Sequence, residues 1–199
     1  YPIFLLYNKS NIPDRKQNLN KYNKVLKALV LGCNFLQKNK CKFISIPCNT
    51  AHYWYDDLKA IIKIPILNMP KIVFENASRN CKRGSKIGLL ATDTTISTGI
   101  YNKFFSKRYN LISPTKKLQI TSVNKSIRLI KMGKTREAEK SIKPAVNYLL
   151  KMKCKKIILG CTELPIAIVA YKSFKKAKLS KIFMDPNLIL AEASMKKYK

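Results

Sequence analysis

Short apolar runs alternate with amphipathic stretches along almost the whole chain. The runs near 2–7, 43–46, 65–68, 86–91, 109–112, 156–160 and 180–183 are rich in Ile, Leu and Phe and too short for core helices, so they read as strands. Between them, apolar residues recur at helical spacing near 18–38, 50–62, 71–82, 95–106, 119–132, 135–152, 163–172 and 187–198. Apolar strands separated by helices predict parallel sheets covered on both faces, an α/β fold. The first run, Pro2-Ile-Phe-Leu-Leu6, is expected to be a buried strand. Pro144 lacks an N–H and is expected to start, kink or split the helix around it.

The polar stretch Asn80-Cys-Lys-Arg-Gly-Ser85 interrupts this alternation, which begins afresh at Lys86-Ile-Gly-Leu-Leu-Ala91. It divides the chain into a first lobe over 1–83, joined by the C-terminal helix 184–199, and a second lobe over 84–183. Each lobe contains one apolar strand running into a cysteine that opens a helix: Ile44-Ser-Ile-Pro-Cys48 and Ile157-Ile-Leu-Gly-Cys161. The halves are thus expected to be pseudo-symmetric. Open α/β sheets bind ligands beyond the carboxyl ends of their strands, where both cysteines fall, and a cleft between the lobes would bring the two together.

Composition narrows the function without naming it. At 199 residues and 46% apolar content the chain can bury a sizeable core. Lys or Arg interrupts every apolar stretch before it could span a membrane, so no membrane partner is expected. A formal charge of +30 would suit a polyanion. Only six of the 40 basic residues are Arg, however, they are scattered, and no nucleic-acid motif is visible. The charge therefore reads as solvated faces that attract an anionic substrate, with no specific nucleic acid as partner. The six cysteines include no Cys-x-x-Cys pair and the single histidine cannot complete a zinc site, so free thiols in a reducing, cytoplasmic setting are expected.

A cysteine at a strand-to-helix turn meets the free N–H groups and positive dipole end of that helix, and both are expected to favour thiolate. Two such cysteines facing one carbon from opposite sides supply what inversion of a stereocentre next to a carboxylate needs. One acts as base and the other as acid, and they trade roles in the reverse direction. Helix N-termini beside them would receive the carboxylate.

The residues flanking both cysteines resemble the aspartate/glutamate racemase superfamily, most closely its aspartate racemase branch. Pro47-Cys-Asn-Thr-Ala-His52 is similar to that branch's first cysteine motif and Gly160-Cys-Thr-Glu-Leu-Pro165 to its second. Ile64-Pro-Ile-Leu-Asn-Met69 resembles a strand that follows the first motif, and Asn11-Ile-Pro-Asp-Arg15 a substrate-side loop. Lys131, ahead of Gly133, falls where the branch places a basic substrate contact; Glu163 stands where glutamate racemases carry histidine.

The resemblance implies two Rossmann-like lobes with the site between them, and Cys48 and Cys161 as the paired acid and base. Arg15 and Lys131 would clamp substrate carboxylates, with Asn49, Thr50 and Thr162 as further donors. It implies a homodimer that interconverts L- and D-aspartate without pyridoxal phosphate, metal or nucleotide; glutamate or a broader set of amino acids is the alternative. It also implies that a strand and a glycine-rich turn precede Tyr1, so an inactive, truncated paralogue with only a binding role is a further alternative. Plainer roles stay open residue by residue. Asn49, Thr50 and Thr162 suit helix N-caps, and Asp14 suits a turn. His52 either orients a ligand or bonds the neighbouring loop. Glu163 either favours the helix dipole or tunes Cys161, whose pKa a carboxylate so near would raise.

Overall fold

A computed structural model describes residues 3–14, 22–169 and 181–198. Four parallel strands, β1 (Lys86–Ala91), β2 (Asn110–Ile112), β3 (Lys156–Gly160) and β4 (Phe183–Met184), form a sheet in the order β2-β1-β3-β4. The two central strands are the most buried, as continuous apolar runs in a doubly covered parallel sheet should be. Their register runs from Ile87 opposite Lys156 to Ala91 opposite Gly160, so both end at one level. Gly160 permits this approach: a Cβ there would meet the Ala91 Cβ at 2.9 Å and the Leu90 carbonyl oxygen at 3.3 Å.

Helices cover both faces. The intervening elements are α1 (Tyr22–Lys38), a 3₁₀ turn (Thr50–Trp54) running into α2 (Tyr55–Ile61), α3 (Met69–Asn80), α4 (Asp93–Ser97) and α5 (Asn102–Phe105). They continue with α6 (Lys116–Leu118), a π turn (Gln119–Asn124), α7 (Lys125–Lys131), α8 (Thr135–Lys151), α9 (Leu164–Val169) and α10 (Pro186–Tyr198). Leu90, Ile157 and Leu159 pack against Val123, Ile142, Leu149 and Leu164 on one face. Ile87, Leu89 and Ile158 pack against Val73, Tyr101, Phe105 and Leu190 on the other. Two elements outside 84–183, α3 and α10, share this second cluster. A third cluster gathers α1, the 3₁₀ turn and α2 of the first lobe around Trp54. Among the described residues no helix is long and apolar enough to cross a membrane.

The first lobe departs from expectation. Of the strands expected at 43–46 and 65–68, the structure forms one parallel bridge, Ile44 opposite Ile66. Ile44 donates to Pro65 and Leu67 donates back to Ile44, at 2.8 and 2.9 Å, while Pro47 and Pro65 have no N–H with which to lengthen the ladder. Ile3 to Tyr7 form no strand, and Ile3, 96% exposed, and Leu6 face solvent. No first-lobe strand lies alongside them among the described residues; Tyr7 stacks on Phe35 at 4.2 Å.

The helix expected over 95–106 breaks into α4 and α5 around Gly99, whose φ of 64° a helix cannot hold. Pro144 neither starts nor splits its helix, since α8 runs through it. The proline and Lys140, whose carbonyl loses its helical donor, are both exposed, so water can replace the missing bond. On the packed side a neighbour repairs the ladder. Ser122 of the π turn donates to the Ser141 carbonyl at 2.5 Å and accepts the Ala145 N–H at 3.3 Å. Ser122→Ala removes both bonds and should cost about 0.5–1.5 kcal/mol per bond in chemical denaturation.

Candidate active site

Both cysteines sit in the same local turn. The Cys48 N–H bonds the Ile46 carbonyl and the Cys161 N–H the Leu159 carbonyl, each at 2.8 Å across three residues. Cys161 leaves β3 by this turn, Cys48 leaves the single bridge at Ile44, and both line one cleft of about 770 Å³. Asp14, Asn49, Thr50, Thr162, Glu163 and Lys131 line it too, Asn49 and Thr50 directly after Cys48 and Thr162 and Glu163 directly after Cys161. The structure thus brings together every site residue expected from sequence except two. His52 sits behind the wall, and Arg15 lies outside the described residues.

Cys161 corrects the expectation of two helix-activated thiolates. Burial pushes its pKa well up, and the Glu163 carboxylate pushes it further, both by its charge and by accepting the thiol proton; nearby Cys48 adds to the rise. The Sγ to Oε2 distance is 2.9 Å. Two dipole-facing N–H groups cannot offset a dehydrated site with an anion in contact. Burial alone would also raise Glu163, but donors from Cys161, from the Thr162 hydroxyl at 2.8 Å and from its own backbone, with Lys131 nearby, hold it below the usual carboxylate range. Lys131 Nζ stands 3.7 Å from Glu163 Oε1. Glu163 thus raises the Cys161 pKa, and the Thr162 hydroxyl donates to Glu163.

His52 takes the loop-bonding role. Its Nε2 accepts the Met69 N–H at 3.1 Å, which makes Nδ1 the protonated nitrogen, donating to the Cys48 carbonyl at 2.9 Å. Burial lowers its pKa and keeps it neutral. Asn49 makes no cap bond. Its Oδ1 accepts from Tyr101 at 2.6 Å, and its buried Nδ2 has no partner. Thr50 and Thr95 pair their hydroxyls at 2.8 Å.

Thr92, Asn124, Lys125 and Arg128 also line the cleft and were not expected from sequence. Thr92 was within reach of the strand-end rule applied to the cysteines, because it follows β1 and caps α4 by accepting the Thr95 N–H. Asn124 and Arg128 lie a helical turn apart on the way to Lys131. The π turn that aims this stretch at the cleft has no sequence signal; buried Gln119 anchors it by donating to the Ala91 carbonyl at 2.9 Å.

A model of the family described as Asp/Glu/hydantoin racemase matches residues 1–193. The chain belongs to that family. Over 82 residues it is 33% identical to a broad specificity amino-acid racemase of Bacillus subtilis, covering 41% of this chain and 35% of that protein. Over 139 residues it is 30% identical to a glutamate racemase of Streptococcus equi, covering 66% of this chain and 49% of that one. The matches thus span half or less of these curated relatives. Among solved structures, an aspartate racemase of Picrophilus torridus superposes with a TM-score of 0.80 at 28% identity, over 97% of this chain and 78% of that one. An aspartate racemase homologue of Pyrococcus horikoshii, at 23% identity and TM-score 0.70 over 90% and 76%, shares the fold. The two-lobed α/β architecture is that of the racemase family.

Two measurements check this site. His52 is the one histidine of the chain, so its imidazole signal in proton NMR is assigned at once and should titrate well below about pH 6.5. Its folded pKa lies below the unfolded one, so the stability it contributes is complete above about pH 6.5 and is lost as pH falls through the folded value. Glu163→Gln removes the charge that holds the proton on Cys161. Alkylation of Cys161 at mildly alkaline pH, followed by mass spectrometry, should accelerate by about tenfold for each unit its pKa falls.

Proposed function

We propose that the protein is a cofactor-independent amino-acid racemase whose Cys48 and Cys161 invert the α-carbon of aspartate. One observation carries the reading: two thiols on matching local turns line the same cleft, and one of them is held as an acid. With the α-carbon between them, Cys48 takes the α-proton from one face and the Cys161 thiol gives its own to the other. In the reverse direction the roles exchange: Cys161, left as thiolate by the forward step, takes the α-proton, and the Cys48 thiol returns its proton to the other face. Lys131 offsets the charge left on Cys161 and Glu163. Asn49, Thr50 and Thr162 lie where the α-carboxylate would rest, and Asp14 borders the entrance.

An acidic substrate is favoured because Lys125, Arg128 and Lys131 line the cleft, matching a second carboxylate; aspartate is chosen because the similar Picrophilus protein is an aspartate racemase. Arg15 joins this set by the sequence resemblance alone. Glutamate or a broader panel is the second reading, favoured by the curated relatives. A homodimer in the cytoplasm, without pyridoxal phosphate or metal, completes the proposal, since two thiols supply both proton positions.

Chirally resolved assays over aspartate, glutamate and neutral amino acids test it. The parent should invert aspartate fastest, and Cys48→Ala and Cys161→Ala should each lower inversion by about 10²–10⁴-fold. A folded parent that inverts none of them contradicts the proposal.

A further inference from the structure

The two residues that follow Cys48 are held by the other lobe. Tyr101, wholly buried in the cluster around β1, donates to Asn49 Oδ1 at 2.6 Å, and Asn49 is itself only 3% exposed. The reverse amide orientation would set Nδ2 against the tyrosine oxygen and leave the buried phenolic hydrogen without this acceptor. Thr50 is held as well. Thr92 Oγ1 accepts the Thr95 N–H and donates to Thr95 Oγ1 at 3.0 Å. Thr95 Oγ1 also pairs with Thr50 Oγ1 at 2.8 Å, which ties Thr50 to the second lobe.

These bonds complete a short rigid path between the sulfurs. Cys161 follows Gly160, which pairs with Ala91; Thr92 follows Ala91 and binds Thr95; Thr95 binds Thr50 beside Cys48. Other ties across the lobes lie farther from the thiols along the chain: α3 packs into the cluster around β1, Tyr109 donates to the Cys81 carbonyl at 3.1 Å, and Lys103 to Asp56 is an exposed pair of little weight.

We propose that Tyr101 and Thr95 are positioning residues that lock the Cys48 turn to the lobe carrying Cys161 and so set the separation of the two thiols across the substrate α-carbon. This rests on the racemase reading. Neither residue touches the reacting atoms; each acts through a neighbour of Cys48. A misplacement of about 1 Å in such a site can cost about 10²-fold in rate.

The test is α-hydrogen exchange and inversion, followed separately in D₂O from L- and from D-aspartate, for the parent, Tyr101→Phe, Thr95→Val and Thr95→Ser. Inversion by the parent is the control, and its absence would remove the racemase reading rather than this inference. Loosening the latch displaces Cys48 and leaves Cys161 in place. From the enantiomer whose α-hydrogen faces Cys161, exchange should persist with retention once the thiol has traded its proton with solvent, while inversion falls by about 10–10²-fold. From the other enantiomer exchange and inversion should fall together. Thr95→Ser, which keeps the hydroxyl, should behave as the parent. Equal loss of exchange and inversion from both enantiomers, or no change in either variant, would overturn the proposal. If Tyr101→Phe does not fold, the near-isosteric Thr95→Val decides alone.

Discussion

A thiol donating to a carboxylate is the interaction on which the cleft depends. Glu163 is half-buried, and a carboxylate there needs donors to replace lost water. Cys161 and Thr162 come from its own turn, but Lys131 must be brought from elsewhere. It is placed at the last residue of α7, which Gly133, at a φ of 73°, closes with an N–H to the Ile130 carbonyl at 2.9 Å. The helix reaches that point through a π turn tied to β1 by Gln119 and to α8 by Ser122. The fold thus places one cation against the anion that keeps Cys161 protonated.

The turns of the two cysteines match in backbone geometry, and Cys161 donates to the Glu163 carboxylate. Burial and that carboxylate hold the Cys161 proton in place. The Cys48 side is organised through its backbone: His52 fixes its carbonyl, and the second lobe fixes the two residues that follow. Fold likeness leaves the substrate open, because the same scaffold hosts different specificities; the cationic flank of the cleft is the feature that bears on it.

The second lobe was legible in sequence because its signals are local. Apolar runs at 86–91 and 156–160 bounded by polar residues gave both central strands, and Cys161 stood where a strand ends. The first lobe was less so, because whether Ile3 to Tyr7 or Ile44 to Ile46 extends into a ladder depends on a neighbouring strand that no local pattern supplies. Side-chain roles failed for a similar reason. Asn49 and Thr50 have the residue types of caps, but their partners lie 52 and 45 residues away. Glu163, two residues from Cys161, was the exception, and its effect on the thiol was readable from proximity. Pro144 does not split α8, where Ser122 bonds the Ser141 carbonyl and the Ala145 N–H, 19 and 23 residues away.

The central claim is that two thiols act on opposite faces of one carbon. The most direct measurement is the position of deuterium after a few per cent of aspartate has been inverted in D₂O, with both enantiomers recovered and analysed by mass spectrometry. Two facing thiols predict label in the product enantiomer and nearly none in the recovered substrate, since each face is served by its own proton donor. Equal labelling of substrate and product from the first turnovers would mean a single group serving both faces, and would contradict the account.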